Sequence, residues 1–375
     1  MYEGERVYCP FFLLNFGSNR NYPSLNLQWA VMEMELLEKH DIQDILREFG
    51  LRVDDIIKIG KVYKISSDGA YYGLKGIDIS KGEVFFQNLQ YLYQRGYYRF
   101  VPVYPAKNGQ IMVLRGQKLF YLMPWYPNEK HYENDLFKNM FRELARLHGV
   151  TTKEIPNTED RVQSHYGKVR LIWIREMDML DQFMELCERK YYMSPFEGEF
   201  VQYYHELMKA YEYALEQLKK WKDHVSQKEK IRISLCHGAF SPDHFVFDER
   251  GHGHFINLEK CQWSVPFKEV LPFMIRSLKT YPKQDGEWVN WMNHYMKFFP
   301  LRPEEKYLMK SYLAHPGHFI PTLRKYQERK TVNHELVLTK ELERNYWLFK
   351  NIEFIVMKLE EFEHPEEGEK RDGHT

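Results

Sequence analysis

Two hydrophobic periods meet at Pro124-Trp-Tyr-Pro-Asn128, and that junction constrains the fold more than any other stretch of the chain. Before it, from Asp55 to Met123, apolar residues come in short runs broken by turn residues, the pattern of strands. After it come long helical patterns at about 163–190 and 197–222. A change of period across a stiff segment with two prolines reads as two lobes joined by a hinge. The expected boundaries are a small lobe over 34–123, a hinge over 124–128 and a helical lobe over 129–362.

Within the small lobe, Ile56–Ile65 reads as a strand ending at the turn Ser66-Ser-Asp-Gly69, and Tyr71–Ile77 as its hairpin partner. Residues Gly82–Arg95 read as a helix closed by Gly96. Tyr98–Tyr104, Gln110–Leu114 and Lys118–Met123 follow as strands, so the expected order is two strands, a helix and three strands. Beyond the hinge, a helix over Asn134–His148 and the two long ones lead to a strand-rich island. It comprises Ile231–Cys236, Phe245–Phe247 and His254–Leu258, with Asp248–Gly251 as a turn. Helices resume at Phe267, the last over Glu335–Phe362.

The ends differ. An N-terminal helix over Val31–Phe49 carries Leu36, Leu37, Ile42, Ile45, Leu46 and Phe49 on one side. Residues 1–33 lack a sustained period and read either as an arm or as a mis-assigned start, with translation beginning at Met32 or Met34. Residues 363–375 are charged and read as a mobile tail.

Charge and cysteine usage exclude several classes. Fifty-three Lys and Arg against 53 Asp and Glu leave no net charge. Bulk capture of nucleic acid or an anionic membrane needs a cationic excess, so neither is expected as a partner. No apolar run approaches the roughly 20 residues of a membrane helix. Cys9, Cys187, Cys236 and Cys261 are scattered with no C-x-x-C pair, which points to reduced thiols in a protein made in the cytoplasm.

Three local motifs lie in the helical part: Leu144-Ala-Arg-Leu-His148, Leu235-Cys-His-Gly-Ala-Phe-Ser-Pro-Asp-His244 and Phe255-Ile-Asn-Leu-Glu259. In this order and spacing they resemble motifs of the aminoglycoside phosphotransferase and choline kinase-like superfamily. Within it the chain resembles the CotS-type bacterial spore coat proteins, the group that includes YutH and YsxE, over about residues 34–360. The resemblance implies a two-lobed, protein-kinase-like α+β fold with a small β-rich N-lobe and a large, mainly helical C-lobe. It also implies a place in or on the spore coat, after synthesis in the mother-cell cytoplasm, with other coat proteins as partners. ATP and magnesium are the cofactors the superfamily would bring.

Read against the superfamily's chemistry, the motifs depart from it. Phosphoryl transfer needs a carboxylate to orient the acceptor hydroxyl and oxygen ligands for the metal on the phosphates. The resembling enzymes have His-Gly-Asp followed by an Asn five residues on. Here the loop reads His237-Gly238-Ala239 and the later position is His244. The metal-binding Asp of the next motif is Asn257. An alanine cannot accept a proton, and an imidazole is a poor ligand for a hard magnesium ion. Asp243 and Glu259 are the carboxylates in sequence that could substitute, Glu259 being expected on the same strand face as Asn257. Lys75 matches the strand lysine that reaches nucleotide phosphates, with Glu83 as a candidate helix partner. His237, His244, His252 and His254, flanked by Cys236 and Cys261, lie close in sequence, but the turn between them argues against a zinc site.

Three readings follow. One is a pseudokinase with a structural or assembly role in the coat. The second is an active ATP-dependent small-molecule kinase that uses a displaced carboxylate. The third is a nucleotide-binding regulator in which Lys75 still holds phosphates.

Overall fold

The spacing of Ile42, Ile45, Leu46 and Phe49 puts four apolar side chains on one helical face, and helix α1 (Lys39–Glu48) with the turn after it buries that face. The computed structural model describes residues 39–126, 136–283, 286–328 and 335–363. After α1 come strands β1 (Asp55–Ile59), β2 (Val62–Ser67) and β3 (Ala70–Asp78), then helix α2 (Ile79–Gln94) and strands β4 (Val113–Arg115) and β5 (Lys118–Pro124). Next are α3 (Leu136–Thr151), β6 (Lys153–Pro156), α4 (Glu159–Glu188), α5 (Pro195–Val225), β7 (Lys230–Cys236), β8 (Phe245–Phe247) and β9 (Gly253–Phe255). The remaining helices are α6 (Phe267–Ser277), α7 (Glu287–Phe298), α8 (Pro303–Ala314), α9 (Ile320–Gln327) and α10 (Glu335–Glu363).

By its contacts the chain forms two compact units. Among the described residues one gathers 39–151 with 235–262, and the other 152–234 with 263–363. The first holds a five-stranded antiparallel sheet of order β1-β2-β3-β5-β4. One face of that sheet receives α1, burying Ile65, Leu74, Val113, Phe120 and Leu122 against it. Asp68 and Gly69 both take positive φ, 49° and 78°, as the two-residue turn between Ser67 and Ala70 requires. Helix α2 buries Phe85, Leu89 and Leu92 and is closed by Gly96, whose N–H donates to the Tyr93 carbonyl at 3.0 Å.

The structure departs from three of the sequence's expectations. Ile56–Ile65 is not one strand but two, because Gly60 at φ 60° turns the chain between Ile59 and Val62. The order is therefore three strands, a helix and two strands. Tyr98–Tyr104 forms only isolated bridges, Phe100 to Phe255 and Tyr104 to Leu122. Pro102 within that stretch and Pro105 just after it lack the N–H a ladder needs. The strand expected at His254–Leu258 stops at Phe255, for a reason given with the site. The early part of the Val31–Phe49 helix, the question of an arm or a later start over 1–33, Pro127 and Asn128 of the hinge, and residues 364–375 lie outside the described residues.

The second unit is helical apart from a three-stranded sheet that adds strand β10 (Gln262–Ser264) in the order β10-β7-β6, with β6 pairing antiparallel with β7. Helix α5 packs along α4, α8 and α10. Its interior is aromatic: Tyr211, Trp221 and Tyr295 are fully buried. The Tyr211 hydroxyl donates to Glu176 at 3.2 Å, His315 Nε2 meets the same carboxylate oxygen at 2.7 Å, and Trp173 stacks on His315 at 4.3 Å. A buried polar ring that finds such a partner adds packing area without an orphaned donor.

Candidate functional site

Lys75 lies near the middle of β3, opposite Val62 on one side and Tyr121 of β5 on the other. Strand alternation points it away from Leu74, which is part of the core under α1. It is only 7% exposed, so its ammonium needs partners. It has two, both from the segment after β9. Nζ donates to the Asn257 side-chain oxygen and, at 2.5 Å, to Glu259 Oε1. The other oxygen of Glu259 accepts from the Tyr121 hydroxyl at 3.3 Å. Burial pulls the Lys75 pKa below its ordinary value; Glu259 pulls it back up, and the charges of Lys260 and Lys61 push it further down. Burial first, then the neighbouring Glu259 charge, drives the Tyr121 phenol well above its ordinary value.

The backbone that delivers Glu259 is not a strand. Asn257 takes the left-handed conformation, φ 67° and ψ 36°, and Leu258–Lys260 forms a single 3-10 turn. Asn tolerates that region better than most side chains. This turn ends the expected strand at Phe255 and overturns the placement of Glu259 on one strand face with Asn257. Asn88, buried on α2, donates to the Cys261 carbonyl at 3.2 Å and ties the turn to the small sheet's helix.

The loop after β7 packs against the same turn. His237 is fully buried; Nε2 meets the Ile256 carbonyl at 2.6 Å, and Nδ1 accepts from the Ala239 N–H at 3.3 Å. An accepting Nδ1 places the ring proton on Nε2. His244 does the converse, with Nδ1 on the Ala239 carbonyl at 2.6 Å. Gly238 between them stands at φ 75°, where a Cβ would lie 2.1 Å from the Lys260 carbonyl oxygen. Only glycine fits there.

The structure thus brings Lys75, Asn257 and Glu259 together, and groups His237, Ala239 and His244 around one loop. It does not bring Glu83 to Lys75. Glu83 is exposed on α2 and accepts from Gln87 at 3.2 Å. Asp243 is also exposed, beside the Ser241 hydroxyl at 3.4 Å. His252 and His254 both turn to Asp248, at 3.4 and 3.0 Å, within the β8–β9 turn. Burial raises the Asp248 carboxyl, but the His252 N–H and the His254 ring outweigh it and hold it below its ordinary value. Tyr121 was not singled out in the sequence; its signal was its position directly across from the strand lysine.

This oxygen set does not suit magnesium. The Asn257 and Glu259 oxygens that could face a metal both accept from the Lys75 ammonium, so a divalent ion there would meet a fixed positive charge. The methyl of Ala239 offers neither proton acceptor nor ligand.

The family model described as "Spore coat putative kinase YutH" matches residues 42–355. The chain belongs to that family. Among curated proteins none matches. Among solved structures, an aminoglycoside phosphotransferase from Alicyclobacillus acidocaldarius is similar over 84% of this chain and 96% of its own, at 14% identity and a TM-score of 0.61. Spectinomycin phosphotransferase APH(9)-Ia, in complex with ADP and spectinomycin, covers 84% of this chain and 95% of its own at 10% identity, with a TM-score of 0.46. Choline kinase LicA from Streptococcus pneumoniae covers 82% and 98% at 13% identity, with a TM-score of 0.42. The first of these carries the fold assignment: this spore coat kinase-like chain has the aminoglycoside phosphotransferase-like α+β fold, with an N-terminal antiparallel sheet and a mainly helical C-terminal part. No helix among the described residues is long and apolar enough to cross a membrane.

Proposed function

We propose that this spore coat family member is a pseudokinase: a kinase-like protein that transfers no phosphate and serves a structural or assembly role among other coat proteins. The observation that carries the reading is the Lys75 cluster. The lysine that would meet phosphates is engaged by Asn257 and Glu259, and Asn257 stands at the position where the resembling kinases place a metal-binding carboxylate. Loss of the loop carboxylate at Ala239 supports it independently, because the parts of such a site act as a unit. The displaced-carboxylate kinase gains no support, since Glu259 is occupied by Lys75 and Tyr121 and Asp243 faces solvent. On this reading the chain is made in the mother cell and deposited in or on the coat.

Three experiments test it. With magnesium and ATP, the purified protein should transfer no phosphate above background to sugars, choline, homoserine or aminoglycosides. Ala239→Asp combined with Asn257→Asp should improve magnesium–nucleotide binding once Glu259→Gln frees Lys75 as well. Robust turnover by the unchanged protein, abolished by Glu259→Gln, would replace this reading with the displaced-carboxylate enzyme. In sporulating cells, a fluorescent fusion should collect at the spore periphery; a signal left evenly in the mother cell after coat formation would remove the coat role.

A further inference from the structure

We propose that Glu259 is a built-in substitute for a bound anion, filling the position beside Lys75 that a polyphosphate would otherwise take. The inference rests on the pseudokinase reading and deepens it, because it names what keeps the cleft closed to nucleotide. Lys75 and Glu259 are both nearly buried, their side chains 9% and 5% exposed, and their charged atoms stand 2.5 Å apart. Glu259 does not merely drift into this place. Its second oxygen accepts from Tyr121, directly across the ladder from Lys75, and its backbone belongs to the 3-10 turn set by left-handed Asn257. Lys61 and Lys260, both exposed, add charges that push the Lys75 pKa down, against the pull of Glu259. Take the Glu259 charge away, and the buried Lys75 keeps only the neutral Asn257 oxygen beside it, so its ammonium is held only if an external anion replaces the carboxylate. Such a site takes a small, highly charged anion, and the anion needs no divalent metal because the lysine supplies the positive charge.

Tripolyphosphate in the presence of EDTA is the probe. The melting temperature of the wild-type chain should not respond to it, whereas Glu259→Gln should be stabilised, with an affinity at least about tenfold above that of wild type. Lys75→Met/Glu259→Gln should lose the response. A second measurement needs no variant. An acyl-phosphate derivative of ATP, read by mass spectrometry, should acylate Lys75 of the wild-type chain more slowly than the exposed Lys61 and Lys260. Wild-type stabilisation by tripolyphosphate, or preferential acylation of Lys75 that free ATP suppresses, overturns the proposal. A folded Glu259→Gln protein indifferent to tripolyphosphate overturns it as well. Failure here is separable from failure of the pseudokinase reading: turnover by the wild-type chain removes that reading, while an inert wild type with an unresponsive Glu259→Gln removes only the role given to Glu259.

Discussion

Gly238 and Lys75 are held by opposite means, one by the lack of a side chain and the other by its charge. A methyl group on Gly238 would strain a positive φ and press on the Lys260 carbonyl, which is fixed within the 3-10 turn. Gly238→Ala should therefore lower the unfolding free energy by about 3 kcal/mol or more, read as a lower urea midpoint at unchanged slope. Lys75→Met should cost about 3–5 kcal/mol, because it leaves the Glu259 carboxylate buried without its cation. Replacing Glu259 by an apolar side chain in the same molecule should recover much of that loss. A double-mutant cycle in urea gives the coupling, and a coupling near zero would mean that the two charges are held by something else.

At the scale of elements, local chemistry was readable wherever a residue acts on its own neighbours. The last helix, the two long helices and the Asp68-Gly69 hairpin turn all follow from period and turn residues. What the sequence concealed is set by partners far along the chain. Lys75 and Glu259 are 184 residues apart, and no spacing rule joins them. Glu259 was legible as a spare carboxylate, but its actual engagement depends on the left-handed Asn257, a conformation that tertiary packing selects. Pro102 and Pro105 are the local signal against a strand over 98–104, since neither can donate to a ladder. The start of α5 shows a local device with a pH signature. Glu197 accepts from the Ser194 N–H at 3.0 Å, from Lys190 at 2.5 Å and from the Tyr326 hydroxyl at 2.7 Å. Burial raises its carboxyl, yet these bonds outweigh it and hold the pKa below the ordinary 4.5. A carboxylate depressed in the folded state stabilises above its unfolded pKa and loses that contribution as the pH falls through the folded value. Wild type should thus exceed Glu197→Gln in melting temperature at neutral pH, with the gap closing below about pH 4.5. A gap independent of pH would point to packing alone.

On the scale of the whole molecule, the unit that holds the small sheet is discontinuous in sequence. Residues 235–262 return to it after an excursion through the long helices of the other unit. They supply the Val101 and Phe255 backbone bonds, the Cys261 carbonyl for Asn88 and both partners of Lys75. A fragment ending at Thr151 should accordingly lack a cooperative thermal transition by circular dichroism, although it carries all five strands of the sheet. A sharp transition near that of the full chain would show that the returning segment is dispensable. The same discontinuity sets a clock on synthesis. When Thr151 leaves the ribosome, the segment that will neutralise Lys75 has not been made, and it arrives roughly 100 residues later, about 5–20 s at ordinary elongation rates. Through that interval the strand lysine is an unpaired cation on an unfinished sheet, open to any cellular anion that reaches it before Glu259 does.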